Sequence, residues 1–181
     1  MNQCIMVGTK EGLRELGGES EAPLIADHEV TALARSGSEW MAIVDGAEAW
    51  RFDDGGEWSE VAELDGFRAN CILPTDSSGA FIGTSEAHLF ELRDGSLLRL
   101  GSFDQAPDRE RWFTPWGGPP DVPSLTATPS GAVYANVHVG GVLRSPDGGA
   151  SWQPTLDIDA DVHQVLFDHE SGVPAVHGRA A

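Results

Sequence analysis

Three sets of residues in this 181-residue chain have the chemistry of a functional site. The first is made of carboxylates and imidazoles: Asp121, His138, Asp161 and His163. A neutral imidazole beside a carboxylate suits a metal or acid–base work. No compact ligand spacing such as His-x-x-x-His occurs among them. The histidines read as hydrogen-bonded groups rather than metal ligands, and neither a metal nor a cofactor is expected. These four residues with Trp112 and Trp116 are the candidate ligand-binding set. The second set lies in Glu110-Arg-Trp-Phe-Thr-Pro-Trp-Gly-Gly-Pro-Pro-Asp121. Its indoles, Trp112 and Trp116, stand near Arg111 and Phe113. They offer a stacking wall for a sugar or another flat ligand, or a loop that closes over its own aromatic cluster. The third set is Arg51, Arg93 and Arg144, which sit at equivalent places in a repeat described below. They read as peripheral. His28, His88, His169 and His177 read as surface or turn residues.

These residues are positioned by hairpins. The clearest is Ser145-Pro-Asp-Gly-Gly-Ala-Ser-Trp152. Val142 to Ser145 suits a strand, and Trp152 opens the next. Between them Asp147 can turn its carboxylate onto backbone N–H groups of its own loop, replacing ladder bonds that the turn cannot supply. Gly148 and Gly149 accept the positive φ of a folded-over loop. Ser145 and Ser151 supply short hydroxyls, and Trp152 drops its ring into apolar space. A degraded copy, Phe52-Asp-Asp-Gly-Gly-Glu-Trp58, keeps Asp54, Gly56 and Trp58 but reads one residue short and lacks the leading serine. In Arg93-Asp-Gly-Ser only the turn remains.

Each hairpin belongs to a larger unit with a constant order: apolar run, glycine turn, apolar run, short turn, third strand, Asp-Gly loop, fourth strand. The units start at Val30, Asn70, Val122 and Val162, spaced by 40, 52 and 40 residues. That period suits a four-stranded β repeat. The pattern predicts units at 30–66, 69–104, 122–159 and 162–181. It adds a partial unit at 1–20 and an inserted loop at 105–120. All lie in one all-β domain spanning 1–181.

Ser145, Asp147, Gly149, Ser151 and Trp152 together resemble the Asp-box, or BNR, hairpin of sialidase-like and sortilin-like β-propellers. The resemblance implies antiparallel four-stranded blades, about three complete, with partial blades at both ends. The first strand of each blade would then line a central channel. Asp121 and Asp161 would stand at one mouth of that channel, with the Trp112–Trp116 loop entering at the same end. Propellers of this type are usually larger, so the resemblance implies a piece of a six- to eight-bladed protein ahead of a small closed ring. An open arc of blades would self-associate.

The same resemblance allows two kinds of function. A binding or assembly module would present the channel mouth to a small molecule, a glycan or a protein. It would be similar to the propeller assembly factors of photosynthetic complexes. The alternative is a sialidase-like glycoside hydrolase or a fragment of one. Such enzymes grip a carboxylate with three arginines, but no Arg-Ile-Pro segment occurs here. Tyr134, the one tyrosine, stands between Val133 and Ala135 on a strand. A core or interblade role is expected for it, and no catalytic constellation is evident.

Composition agrees with an all-β domain. There are 22 glycines and 11 prolines among short apolar runs. Twenty-nine acidic residues against 11 basic ones give a formal charge of −18. So negative a surface repels phosphate backbones and anionic lipids, and neither nucleic acid nor membrane is expected as a partner. Cys4 and Cys71 stand in different units and read as buried thiols. No basic, apolar leader is evident, and a cytoplasmic location is expected.

Overall fold

The computed structural model describes residues 5–17, 22–53, 56–75, 79–115, 117–158 and 160–179. Cys4, Asp54 and Trp116 lie outside the described residues, as does the side chain of Asp161. The first sheet has three antiparallel strands: β1 (Ile5–Thr9), β2 (Gly12–Leu16) and β3 (Ile25–Ala26). The third of these follows residue 20 and was not foreseen. Three four-stranded meanders come next. Blade 1 is β4 (Val30–Ser36), β5 (Glu39–Val44), β6 (Glu48–Phe52) and β7 (Trp58–Glu63). Blade 2 is β8 (Ala69–Pro74), β9 (Ala80–Thr84), β10 (Leu89–Arg93) and β11 (Ser96–Arg99). Blade 3 is β12 (Ser124–Ala127), β13 (Val133–Val137), β14 (Gly141–Ser145) and β15 (Gln153–Pro154). A two-stranded sheet, β16 (Asp161–Asp168) and β17 (Val173–Arg179), completes the described chain. It is hydrogen-bonded separately from β1–β3.

Turn chemistry explains the meanders. The β10–β11 loop is Asp94-Gly95, with φ of +51° and +73°. Positive φ at both central residues matches the right-handed twist of the paired strands. The segment between blades 2 and 3 is not all loop. It carries a short helix, α1 (Gly101–Asp104), and a 3-10 turn at Arg109–Arg111.

The starts of blades 2 and 3 and β16 are each bonded across a seam to the preceding sheet. Ala69 N–H donates to Gly46 O at 2.7 Å, joining blade 1 to blade 2. Val122 N–H donates to Thr84 O at 3.0 Å, and Cys71 Sγ to Val122 O at 3.3 Å. Asn136 Nδ2 donates to Val162 O at 3.1 Å, and Val165 N–H to Ser124 Oγ at 3.0 Å. Gly83 makes the close approach at the blade 2–3 seam. A Cβ there would lie 2.6 Å from Val122 Cγ1 and 2.7 Å from Cys71 Sγ. Burial pushes the Cys71 thiol up to about 12.

The apolar core is divided among the seams. Leu13 and Ile25 meet Val30, Ala42 and Val44 at the first seam. Met41, Ile43 and Leu64 meet Ile72, Ile82 and Leu92 between blades 1 and 2. Phe81 and Leu89 meet Val133, Leu143 and Trp152 between blades 2 and 3, with Phe103 and Trp112 added from the inserted segment. Val142 and the half-buried Tyr134 meet Val162 and Val165 at the last seam, which gives Tyr134 an interblade place. β9 is buried at all five positions because apolar neighbours cover both its faces.

The Ser145–Trp152 turn is closed by its own side chains. Asp147 Oδ1 accepts from Ser145 Oγ at 2.8 Å and from Ser151 N–H at 2.8 Å. Its Oδ2 accepts from Ser151 Oγ at 2.6 Å. The two Ser151 bonds, followed by that from Ser145, hold the Asp147 carboxyl below its ordinary value. Gly149 N–H donates to Ser145 Oγ at 2.7 Å, and Trp152 Nε1 to Gly149 O at 3.2 Å.

The corresponding blade 1 turn uses Asp53. Its Oδ1 accepts from Glu57 N–H at 2.9 Å, the same four-residue span that joins Asp147 to Ser151. Counted from Asp53, Trp58 falls five residues on, as Trp152 does from Asp147. The copy is therefore in register, without a missing residue. Arg51 stands where Ser145 does in blade 3.

Candidate functional site

In each antiparallel meander, the loops that enter the first strand share one end with the turns between second and third strands. Asp121 and His138 are at this entering end. They meet through the backbone, where His138 N–H donates to Asp121 O at 2.9 Å. His138 occupies a turn closed by Gly140 N–H to Val137 O at 2.9 Å, in which Val139 has φ of +56°. His163 is exposed and faces the ring of His177, with centroids 6.3 Å apart. Among the described residues, no group of three or more His, Cys, Asp or Glu could hold a metal ion.

Trp112 is 9% exposed, and its ring centroid lies 5.7 Å from that of Phe103. The Arg109 guanidinium lies over its ring at 5.0 Å. Trp112 is thus a core residue that fastens the inserted segment, while Phe113 is the 64% exposed aromatic of that loop. One edge of Trp112, with Arg111 and Asp157, borders a small cleft of about 200 Å³.

His88 requires a correction, being buried at 8% exposure rather than at the surface. Its Nδ1 lies 2.6 Å from Asp104 Oδ1, while Arg99 Nε donates to Asp104 Oδ2 at 2.6 Å. Arg109 Nη1 donates to Ala87 O at 2.7 Å, and Phe67 meets the His88 ring edge-on. Burial raises the Asp104 carboxyl, but hydrogen bonds from Arg99 and His88 outweigh it, and the group sits below its ordinary value. The cluster clamps α1 and the 3-10 turn onto blade 2.

The leaving end of the first strands is built differently. A cavity of about 740 Å³ opens there. Four consecutive first strands reach it, through Arg35 of β4, Leu73 of β8 with Thr75 just beyond it, Thr126 of β12, and Leu166 and Phe167 of β16. Phe81 and Val133 extend its apolar wall into the blade 2–3 seam. Gly148 of the Asp147 turn and Arg93 complete the rim. Arg93 is therefore part of a concave site and not only of the periphery. Arg51 pairs with Glu39 at 2.9 Å, Arg93 with Glu91, and Arg144 lies over Tyr134 at 6.0 Å. Each of the three arginines is engaged inside its own blade.

Its volume lies in the range of ligand clefts, roughly 300–1,000 Å³. Sequence reasoning placed the site at the entering end because carboxylates and tryptophans are conspicuous there. The signal for the other end was present but plain: an Arg, Thr or aromatic residue at the close of each first strand.

No family model matches the chain, and no curated protein matches it. Solved structures do match it in fold. YCF48 from Cyanidioschyzon merolae superposes with a TM-score of 0.61 at 16% identity, over 91% of this chain and 58% of that one. The extracellular domain of the putative hybrid two component system BT4673 from B. thetaiotaomicron gives 0.64 at 13% identity, over 96% and 23%. The fold is a β-propeller fold. A structure of YCF48 bound to D1 peptide matches this propeller with a TM-score of 0.55 at 16% identity, over 91% and 53%. The chain thus spans a little over half of the YCF48 chains and under a quarter of the BT4673 chain.

Proposed function

We propose that this chain is a binding or assembly module of the Asp-box propeller type, which holds its partner at the channel mouth where its first strands end. The observation that carries the reading is the cavity of about 740 Å³ reached by four consecutive first strands. Loops on a rigid β scaffold are where propellers and other β folds place recognition. Gly148 ties the Asp147 turn to the rim, so the box supports the site it borders. A peptide bound to YCF48 supports the same mode of use, as a likeness of fold.

The test is selection of ligands from a random peptide library and a small-molecule fragment set, followed by mapping with hydrogen exchange. Protection is expected at residues 73–75, 126–128 and 166–169. It should be lost in Thr128→Trp, which fills the mouth. Ligands that protect Asp121 and His138 instead would refute this placement. Turnover of a fluorogenic sialoside or glycoside would refute the binding-module reading itself.

A further inference from the structure

We infer that the cavity at the leaving end takes a carboxylate carried next to an apolar group. This inference rests on the binding reading above and assigns the chemistry of the ligand. Three observations support it together.

The first is a reversal of charge. Acidic residues outnumber basic ones by 29 to 11 in the chain. Among the described residues that line the cavity the order is inverted, with Arg35 and Arg93 against the one carboxylate of Glu91. In a molecule of formal charge −18, a concave surface with a net positive lining concentrates an anion there.

The second is pre-organisation. Arg35 Nε donates to Gly37 O at 2.8 Å, and its guanidinium lies over the Trp40 ring at 5.2 Å. With Nε engaged and the plane supported, the Nη donors make no hydrogen bond to another described residue. A guanidinium fixed in this way can hold a carboxylate without ordering a long side chain at the moment of binding. Arg93 is held differently, through Nη2 on the carboxylate of Glu91. The two arginines and Glu91 sum to one positive charge, which a single carboxylate neutralises. A phosphate dianion would leave one negative charge uncompensated beside Glu91.

The third is an apolar body to the site. Leu73, Phe81, Val133, Leu166 and Phe167 line the same cavity as the arginines, and Leu166 is 40% exposed. A bare anion leaves that surface wet, whereas an anion with an attached apolar group covers it. The chemistry fits two sources, an acidic peptide with alternating apolar side chains or a free amphipathic acid.

The experiment uses the full chain and calorimetric titration. The probes are a blocked Leu-Glu-Leu-Glu-Leu peptide, its Leu-Gln-Leu-Gln-Leu counterpart, decanoate, decanamide and decyl phosphate. At least one carboxylate probe is expected to bind about tenfold tighter than its neutral counterpart, as one charge-assisted contact provides. Arg35→Gln and Arg93→Gln should each remove about that factor for the carboxylate probe only. Both side chains are exposed, so melting temperatures should be unchanged. Leu166→Asp should weaken all probes. Preference for the acidic peptide or for decanoate identifies the source, and either supports the inference.

Equal binding of charged and neutral probes, still sensitive to Leu166→Asp, would overturn the carboxylate assignment and leave the cavity as the binding site. Stronger binding of decyl phosphate than of decanoate would overturn it in favour of phosphate. Binding indifferent to all three substitutions, or no binding of any probe, would overturn the inference. The hydrogen-exchange mapping above then judges the broader reading separately.

Discussion

Ser145→Ala removes one oxygen that takes part in three hydrogen bonds of its turn, the longest from Asp147 N–H at 3.4 Å. Ser145 is fully buried, and its Oγ both accepts from Gly149 N–H at 2.7 Å and donates to Asp147 Oδ1 at 2.8 Å. Gly149 is itself buried, so deleting the hydroxyl leaves its N–H without water or a partner. An orphaned buried donor costs about 1–3 kcal/mol, and the bond to Asp147 is lost as well. A destabilisation of about 2 kcal/mol is therefore expected, which for a domain of this size lowers the melting temperature by roughly 4–8 °C. Trp152 fluorescence is a suitable readout, because its indole donates to Gly149 O and meets Phe103 edge-on at 5.1 Å. Ser151→Ala is the internal control. Its hydroxyl bonds the same carboxylate at 2.6 Å but in an exposed position, where water replaces it, and a loss of about 0.5 kcal/mol or less is expected. Equal losses for the two variants would refute the argument that burial of the Gly149 donor sets the scale. So would a loss below about 0.5 kcal/mol for Ser145→Ala.

Three further outcomes are expected. The Asp104 carboxyl sits below its ordinary value in the folded chain, so its stabilising effect is complete above the unfolded value of about 4 and fades as pH falls through the folded one. Acid titration of the melting temperature should show this loss, and Asp104→Asn should start lower and flatten the slope. In a Cys4→Ser background, the raised Cys71 thiol should resist a disulfide reagent at pH 8 in the native protein and react on unfolding in urea. Val139 holds φ of +56° at a turn position suited to glycine. Val139→Gly should relieve strain of about 1–2 kcal/mol, partly offset by about 0.4–1 from the freer unfolded chain, and a modest rise in melting temperature is expected. A fall would refute the strain assignment.

The meanders were legible because their turns use residues with one physical meaning. Asp94-Gly95 and the Ser145–Trp152 loop announce their backbone angles in the sequence. Periodic apolar runs between such loops leave little choice of topology. Register within a degraded turn was harder. Asp53 and Asp54 are adjacent carboxylates, and only the bond from Glu57 N–H to Asp53 identifies which one closes the loop. Burial of isolated polar residues was also hidden. His88 stands between Ala87 and Leu89, but the partners that satisfy it when buried, Asp104, Arg99 and Phe67, come from three other segments. The two channel mouths were unequal in the same way. Tryptophans and aspartates drew attention to the entering end, yet Trp112 is used for packing. The cavity is made from strand ends, where a lone Arg or Thr looks like ordinary surface.

The placement of the cores on the seams has a consequence for how the molecule comes apart. Sequence repeats run from first strand to fourth, whereas each cooperative cluster joins the back of one repeat to the front of the next. The sequence repeat and the packing unit therefore do not coincide, since each core is shared by two neighbouring sheets. A cut between residues 113 and 122 divides Phe103 and Trp112 from the Trp152 side of their cluster and yields two pieces that each lack a wall. A chain cut inside blade 2 would disrupt the blade but spare the blade 3 half of that packing. In this architecture a strand of blade 2 such as β9 serves two cores at once, Phe81 on one face and Ile82 on the other.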